Sequence, residues 1–216
     1  MKRYLPFLIV VAVALTTAGA GLMLYRAHRL PAPTAAKDSG ERAMHVKGDA
    51  KALVTLEEFG DFECPPCAIM SVALHQLEKD YAGKLRIIFR HFPLAMHPHA
   101  REAAVASEAA HLQGKFWEMH DLLYEKQATW SKAPDVPALF HSYAGTLGLD
   151  VERFKKDMQS PETGGRVTKD HEEGTSRGVH STPTFFINNT ALPPTSTNPP
   201  GVRAAVEAAI KEKSKP

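Results

Sequence analysis

Phe62-Glu63-Cys64-Pro65-Pro66-Cys67 holds the only two cysteines of the 216-residue chain. Two intervening residues are the spacing at which one helical turn brings two sulfurs within bonding reach. With no other cysteine, the pair belongs to no wider disulfide framework, and it lacks the second pair that a four-cysteine zinc site needs. A reversible dithiol–disulfide remains. Before it, Ala52 to Phe59 reads as a strand, with Val54, Leu56 and Phe59 apolar, ended by Gly60-Asp61. After it, Met70, Leu74, Leu77 and Tyr81 recur at helical spacing, which predicts a helix from Pro65 to about Tyr81. Proline is tolerated in a first turn, where its missing N–H has no intrahelical partner, so Cys64 falls at or beside the N-cap. Gly83 stops the helix, and Leu85 to Phe92 is a second strand. Strand, reactive turn, helix, strand is a βαβ unit, with parallel strands and a right-handed crossover.

From Pro98 to about Arg177 the pattern is helical. Val105, Ala109, Leu112 and Phe116 are spaced for one face, and Phe116, Met119 and Leu123 suit another helix after Gly114. Leu139, Tyr143 and Leu147 mark a third, stopped at Gly148. Asp150 is an N-cap candidate for a short helix with Phe154 and Met158, and a further helix runs from about Gly165 towards Gly178. Strand character returns at Thr184 to Ile187. Asn188-Asn189 reads as a tight turn into a short strand around Ala191-Leu192. A proline-rich loop then leads to an amphipathic helix with Val202, Val206 and Ile210. The expected fold class is α/β, with an inserted α-helical domain and one N-terminal hydrophobic anchor or signal segment. The expected divisions are 1–29 anchor or signal peptide, 30–43 linker, 44–96 first α/β part, 97–177 helical insertion, 178–213 second α/β part and 214–216 tail.

Lys2 and Arg3 precede an uncharged run from Tyr4 to Tyr25. As a helix such a run spans roughly 30 Å, the thickness of a bilayer core. Ala18-Gly19-Ala20 resembles a signal-peptide cleavage site, while the continuing Leu22-Met23-Leu24 favours a retained anchor. Both readings put everything after about Leu30 outside the cytoplasm, in the periplasm or at the cell-envelope exterior, secreted if cleaved near Ala20. A formal charge of +2 and the absence of a dense basic stripe argue against nucleic acid as a partner.

The stretches Phe59 to Cys67, Phe89-Arg90-His91-Phe92-Pro93-Leu94, Phe116-Trp117-Glu118-Met119-His120 and Thr182-Pro183-Thr184-Phe185-Phe186 together resemble the DsbA-type thiol–disulfide oxidoreductases. The resemblance covers roughly Met44 to Lys211. It implies a thioredoxin fold interrupted by the helical domain. It also implies a cis peptide at Pro183 beside the cysteines, where the residue reading alone is a strand-opening proline, and a Thr182 that helps hold substrate backbone. Glu58, six residues before Cys64, matches the family's buried acid, which moves protons to and from the inner cysteine. On the residues alone, Glu57 and Glu58 read equally as solvated at a strand end. The implied substrates are thiol-containing exported proteins, with a membrane redox partner of the DsbB or VKOR kind and no cofactor.

In this reading Cys64, at the exposed end of the turn, is the attacked and attacking sulfur and Cys67 the buried, resolving one. The chain departs from the best-known oxidases of the family, which carry histidine at the position of Pro66. Pro65 and Pro66 remove two N–H donors from the helix end, and Glu63 adds a negative charge, so a less oxidising poise is expected. A reductase or isomerase kept reduced by another membrane donor is the first rival. A periplasmic copper-binding or assembly protein using Cys64, Cys67 and histidines is the second. His91, His97 and His99 suggest a metal site, but eleven histidines spread along the chain make chance proximity the ordinary explanation, so no metal is assigned. Phe116, Trp117 and Met119 read as helical core.

Overall fold

The computed structural model describes residues 45–215. The expected anchor or signal segment and linker lie outside those residues. Five strands form one sheet in the order β1-β3-β2-β4-β5. They are β1 (His45–Lys47), β2 (Val54–Gly60), β3 (Leu85–His91), β4 (Thr184–Ile187) and β5 (Thr190–Ala191). β2 and β3 run parallel, joined by α1 (Pro65–Asp80), as the βαβ reading requires; β1, β4 and β5 pair antiparallel to their neighbours. Between β3 and β4 lie α2 (Ala100–His111), α3 (Phe116–Glu125), α4 (Gln127–Trp130), α5 (Val136–Thr146), α6 (Val151–Met158) and α7 (Pro161–Ser176). The closing helix is α8 (Pro199–Lys213). This is a thioredoxin fold with an inserted helical domain. No helix among the described residues is long and apolar enough to cross a membrane.

Strand alternation sends successive side chains of β2 to opposite faces. Val54 and Leu56 pack with Met70, Leu74 and Leu77 of α1 and with Val202, Val206 and Ile210 of α8. On the other face Phe59 joins Phe92, Val179 and Phe186. A third cluster joins the helical domain to the cysteine turn: Phe62, Cys64, Cys67 and Phe89 share it with Met119, Leu123, Trp130 and Phe140. The reactive turn therefore sits where the sheet and the insertion share a core.

The structure corrects several sequence expectations. β1 had no signal, because a three-residue strand is too short to show alternation, and it exists through pairing with Ile87, Ile88 and Phe89. The buried face of α2 is Ala103, Ala104, Ala106, Ala109 and Ala110 with Ser107 and Glu108, while Val105 is only half-buried. Small side chains let this helix pack closely on its neighbours, and a search for large apolar residues overlooks them. In α5 the fully buried residues are Val136, Phe140 and Ala144, one position away from the expected Leu139, Tyr143 and Leu147, which are partly buried. α7 starts at Pro161 rather than near Gly165, because Ser160 caps it by accepting from Thr163 N at 3.3 Å. The Asp150 cap holds, accepting from Arg153 N at 3.0 Å.

Gly60 ends β2 where the chain turns into the cysteine loop. A Cβ there would lie 2.5 Å from Phe89 Cε2 and 3.0 Å from the Tyr124 hydroxyl. Gly60→Ala should therefore destabilise the protein by about 1–3 kcal/mol through overpacking. Denaturant unfolding measures this, and an unchanged midpoint would refute the close approach.

Candidate active site

Cys64 is the N-cap of α1, with extended backbone angles of φ −79° and ψ 117°. Its own N–H donates to Asp61 O at 3.1 Å, and its carbonyl accepts from Cys67 N at 3.1 Å and Ala68 N at 3.3 Å. Pro65 and Pro66 occupy the first turn and are exposed. Both cysteines are free thiols. Across the turn the Thr182-Pro183 peptide is cis, Pro183 is buried, and the Cys64 thiol donates to Thr182 O at 3.3 Å. The structure thus brings Cys64, Cys67, Thr182 and Pro183 together. It is more closed than the sequence reading held: Cys64 keeps only 5% exposure and Cys67 none, because the Thr182 loop and the core of the insertion flank the turn.

The two sulfurs are electrostatically unequal. The hydrogen bond from the Cys67 thiol, with further help from the Thr182 side chain, lowers Cys64 to about 6, against burial and the negative Asp61. Burial raises Cys67 well above the usual thiol range, and Glu58 and Cys64 add to the shift. At neutral pH the outer sulfur is the thiolate and the inner one holds the proton.

Glu58 and Glu57 are both buried, so the solvated reading fails for each. Among the described residues Glu58 Oε1 has no hydrogen-bond partner, and burial first, then Cys64, raises the carboxyl to about 8. Glu57, on the opposite face of β2, meets two arginines: Arg90 Nε donates to one oxygen and Arg177 Nη1 to the other at 2.6 Å. Arg177 also lies over the Phe186 ring at 3.9 Å.

Several contributors escaped the sequence reading. Gln127 Nε2 donates to Phe62 O at 2.7 Å and to Cys64 O at 2.9 Å, tying the reactive turn to the insertion. Nothing in a lone neutral glutamine far along the chain marks that contact. The sequence marks Asp61 only as a strand end. It is buried and accepts from Glu63 N at 2.8 Å, Leu94 N at 2.9 Å and His97 Nδ1 at 2.7 Å. The Gly-Asp pair directly before the cysteine loop was its available signal. Glu63 is not simply a charge near Cys64: it accepts from His99 N at 2.7 Å, at the start of α2. His91, His97 and His99 therefore engage different partners, His91 Nε2 donating to the Glu108 carboxylate at 2.9 Å. Phe116 and Met119 are buried as expected, and Trp117 is partly buried with Lys47 Nζ 4.6 Å from its ring.

The thioredoxin family pattern matches residues 41–208. Among solved structures, the chain is similar to oxidised BdbD from Bacillus subtilis at 26% identity and TM-score 0.67, covering 77% of this chain and 92% of that one. It is also similar to a thioredoxin-like oxidoreductase from Silicibacter pomeroyi at 26% identity and TM-score 0.64, covering 77% of this chain and 91% of that one. A curated relative, the Na(+)/H(+) antiporter NhaA 3 of Salinispora tropica, is 42% identical over 145 residues, covering 67% of this chain and 21% of that protein. The chain thus spans about a fifth of the length of that antiporter.

Two titrations test the electrostatics. The ultraviolet absorbance of the Cys64 thiolate should titrate with a midpoint near about 6, and Cys67→Ala should raise it by removing the leading hydrogen bond. A wild-type midpoint near the ordinary thiol value would refute this arrangement. In the reduced protein, a folded Glu58 near about 8 against its ordinary 4.5 binds its proton more tightly than the unfolded chain does. Its stability is then full below about 4.5 and is lost as pH rises towards about 8. Glu58→Gln should flatten that decline in denaturant unfolding measured across the range.

Proposed function

The chain belongs to the thioredoxin family as a DsbA-like thiol–disulfide oxidoreductase, and we propose that it oxidises cysteine pairs of exported proteins through a Cys64–Cys67 disulfide. The observation that carries this reading is the unequal pair at the head of α1, a thiolate-forming Cys64 and a proton-holding Cys67. A substrate thiolate attacks Cys64 Sγ, the Cys64–Cys67 bond breaks, and Cys67 leaves with the electron pair. The inner sulfur then needs a proton, and Glu58, neutral over most of the physiological range, supplies it from behind the turn. A second substrate thiolate attacks the substrate sulfur of the mixed disulfide. The product disulfide departs, and Cys64 leaves as the stabilised thiolate. Thr182 and Pro183 hold the substrate backbone against Cys64 during exchange, and Pro65 and Pro66 shape the loop. The enzyme dithiol returns its two electrons to a membrane partner of the DsbB or VKOR kind, outside the cytoplasm, with residues 1–29 serving as anchor or signal.

Stabilising the Cys64 thiolate stabilises the reduced form and so makes the disulfide oxidising. The strongest oxidant of this kind holds its thiol near ~3.5, and thioredoxin holds its own near ~7. Cys64, at about 6, lies between them but closer to thioredoxin. The two prolines supply the reason, since neither can offer an N–H to the sulfur. This favours a mild oxidant whose direction depends on its partner, and it keeps the reductase or isomerase reading as the alternative.

Equilibration in glutathione buffers should place the couple between about −120 and −270 mV. A value at the upper limit would overturn the argument from the missing donors, and one at the lower limit would favour the reductase. Pro66→His, which restores a backbone N–H, should raise the potential by about 30 mV or more. Cys64→Ser should abolish oxidation of a reduced test protein, whereas Cys67→Ser, first loaded at Cys64 as a mixed disulfide with glutathione, should exchange the glutathione for the test protein and accumulate that mixed disulfide.

A further inference from the structure

Away from the cysteines, three buried side chains from three elements meet: His45 of β1, His91 of β3 and Glu108 of α2. His45 Nε2 lies 2.5 Å and His91 Nε2 2.9 Å from the same oxygen, Glu108 Oε1. All three candidate ligand atoms fall within 4.8 Å of one another. We infer that His45, His91 and Glu108 form a binding site for a divalent transition-metal ion of the zinc type.

Two imidazoles and one carboxylate match a donor set that zinc takes in proteins, with one position left for water. Nitrogen donors select zinc-like ions over calcium or magnesium, which require mainly oxygen. The rings are already aimed. His45 stacks on Phe116 with centroids 3.4 Å apart and planes 4° from parallel, and His111 meets it edge-on at 4.9 Å. His91 packs edge-on against Phe89 at 5.3 Å. This aromatic packing does the orienting that hydrogen bonds at Nδ1 usually supply, and both Nδ1 atoms lack a partner among the described residues. Ligands on a tetrahedral ion with bonds of about 2.0–2.1 Å stand about 3.3 Å apart. The present contacts need to open by less than about 1 Å to admit the ion, which replaces the protons now shared with Glu108.

Access runs through an adjoining cavity of about 290 Å³, lined by His45 and Glu108 with Arg90, Arg166, Lys169, Asp170 and Glu173. It offers room for the water ligand. Arg166 Nη1 approaches the other carboxylate oxygen, Glu108 Oε2, at 3.4 Å and leaves Oε1 to the ion. Two cations around one carboxylate repel each other, so binding should be moderate rather than extreme. The site contains neither cysteine. Its consequence is mechanical: the ion would pin β1 to β3 and both to the first helix of the insertion.

The test uses the full chain with the Cys64–Cys67 disulfide formed, so that no thiolate competes. Calorimetric titration with zinc should give one equivalent bound in the micromolar range or tighter, and saturation should raise the thermal midpoint. Glu108→Gln and His45→Asn should each weaken binding at least tenfold. One equivalent of zinc should also shift the ring-nitrogen NMR signals of His45 and His91 in the wild type, a readout that needs no variant to fold. No saturable binding by the wild type, unshifted His45 and His91 signals, or full affinity in Glu108→Gln would each overturn the site and leave a metal-free hydrogen-bonded triad. None of these results bears on thiol oxidation, whose failure would appear separately in the redox measurements.

Discussion

β2 is buried along most of its length and yet carries two consecutive glutamates, and the site depends on how the fold accommodates them. A buried carboxylate survives only if it is paired or gives up its charge. Alternation places the two on opposite faces of the sheet, so the fold uses one solution on each. Glu57 is ion-paired between Arg90 and Arg177, and Arg90 continues to Asp170 on α7 at 3.1 Å. That ion-paired network ties the central strand to the insertion and to the segment entering β4. Glu58, whose Oε1 has no hydrogen-bond partner among the described residues, instead retains its proton to about 8. A neutral carboxyl next to a sulfur that must gain and lose a proton is a reservoir the redox couple can draw on.

The cysteines are unequal for a related reason. Helix α1 begins at Cys64, so the first sulfur stands at the positive end of the helix and the second lies one turn inside the core. Here the prolines blunt the helix end, and the largest stabilisation of the Cys64 thiolate comes from Cys67 itself. The poise of the couple is thus set inside the pair more than by the helix end. Gln127 and Asp61 hold the turn from either side, through two carbonyls in one case and two backbone N–H groups and an imidazole in the other. Their part is to fix where Cys64 stands relative to Thr182.

Much of this was legible because it is local. The cysteine spacing, the Met70-Leu74-Leu77 stripe, the Asp150 cap and the Thr184–Ile187 strand each announce themselves within a few residues, and each appears where expected. The misses share a cause. β1 is created by its neighbour, α2 buries alanines that carry little signal, and Gln127 acts on carbonyls more than sixty positions away. Glu57 and Glu58 are identical letters whose opposite fates follow from which face each one occupies.

The sequence by itself determined that a redox-competent cysteine pair heads a helix in a βαβ frame with a helical insertion, because periodicity, caps and spacing are properties of adjacent residues. Only the tertiary structure decided that Cys64 is nearly enclosed, that Glu58 is neutral while Glu57 is ion-paired, and that His45 and His91 converge on Glu108. Burial and charge depend on what the fold brings alongside, and those neighbours are distant in the chain.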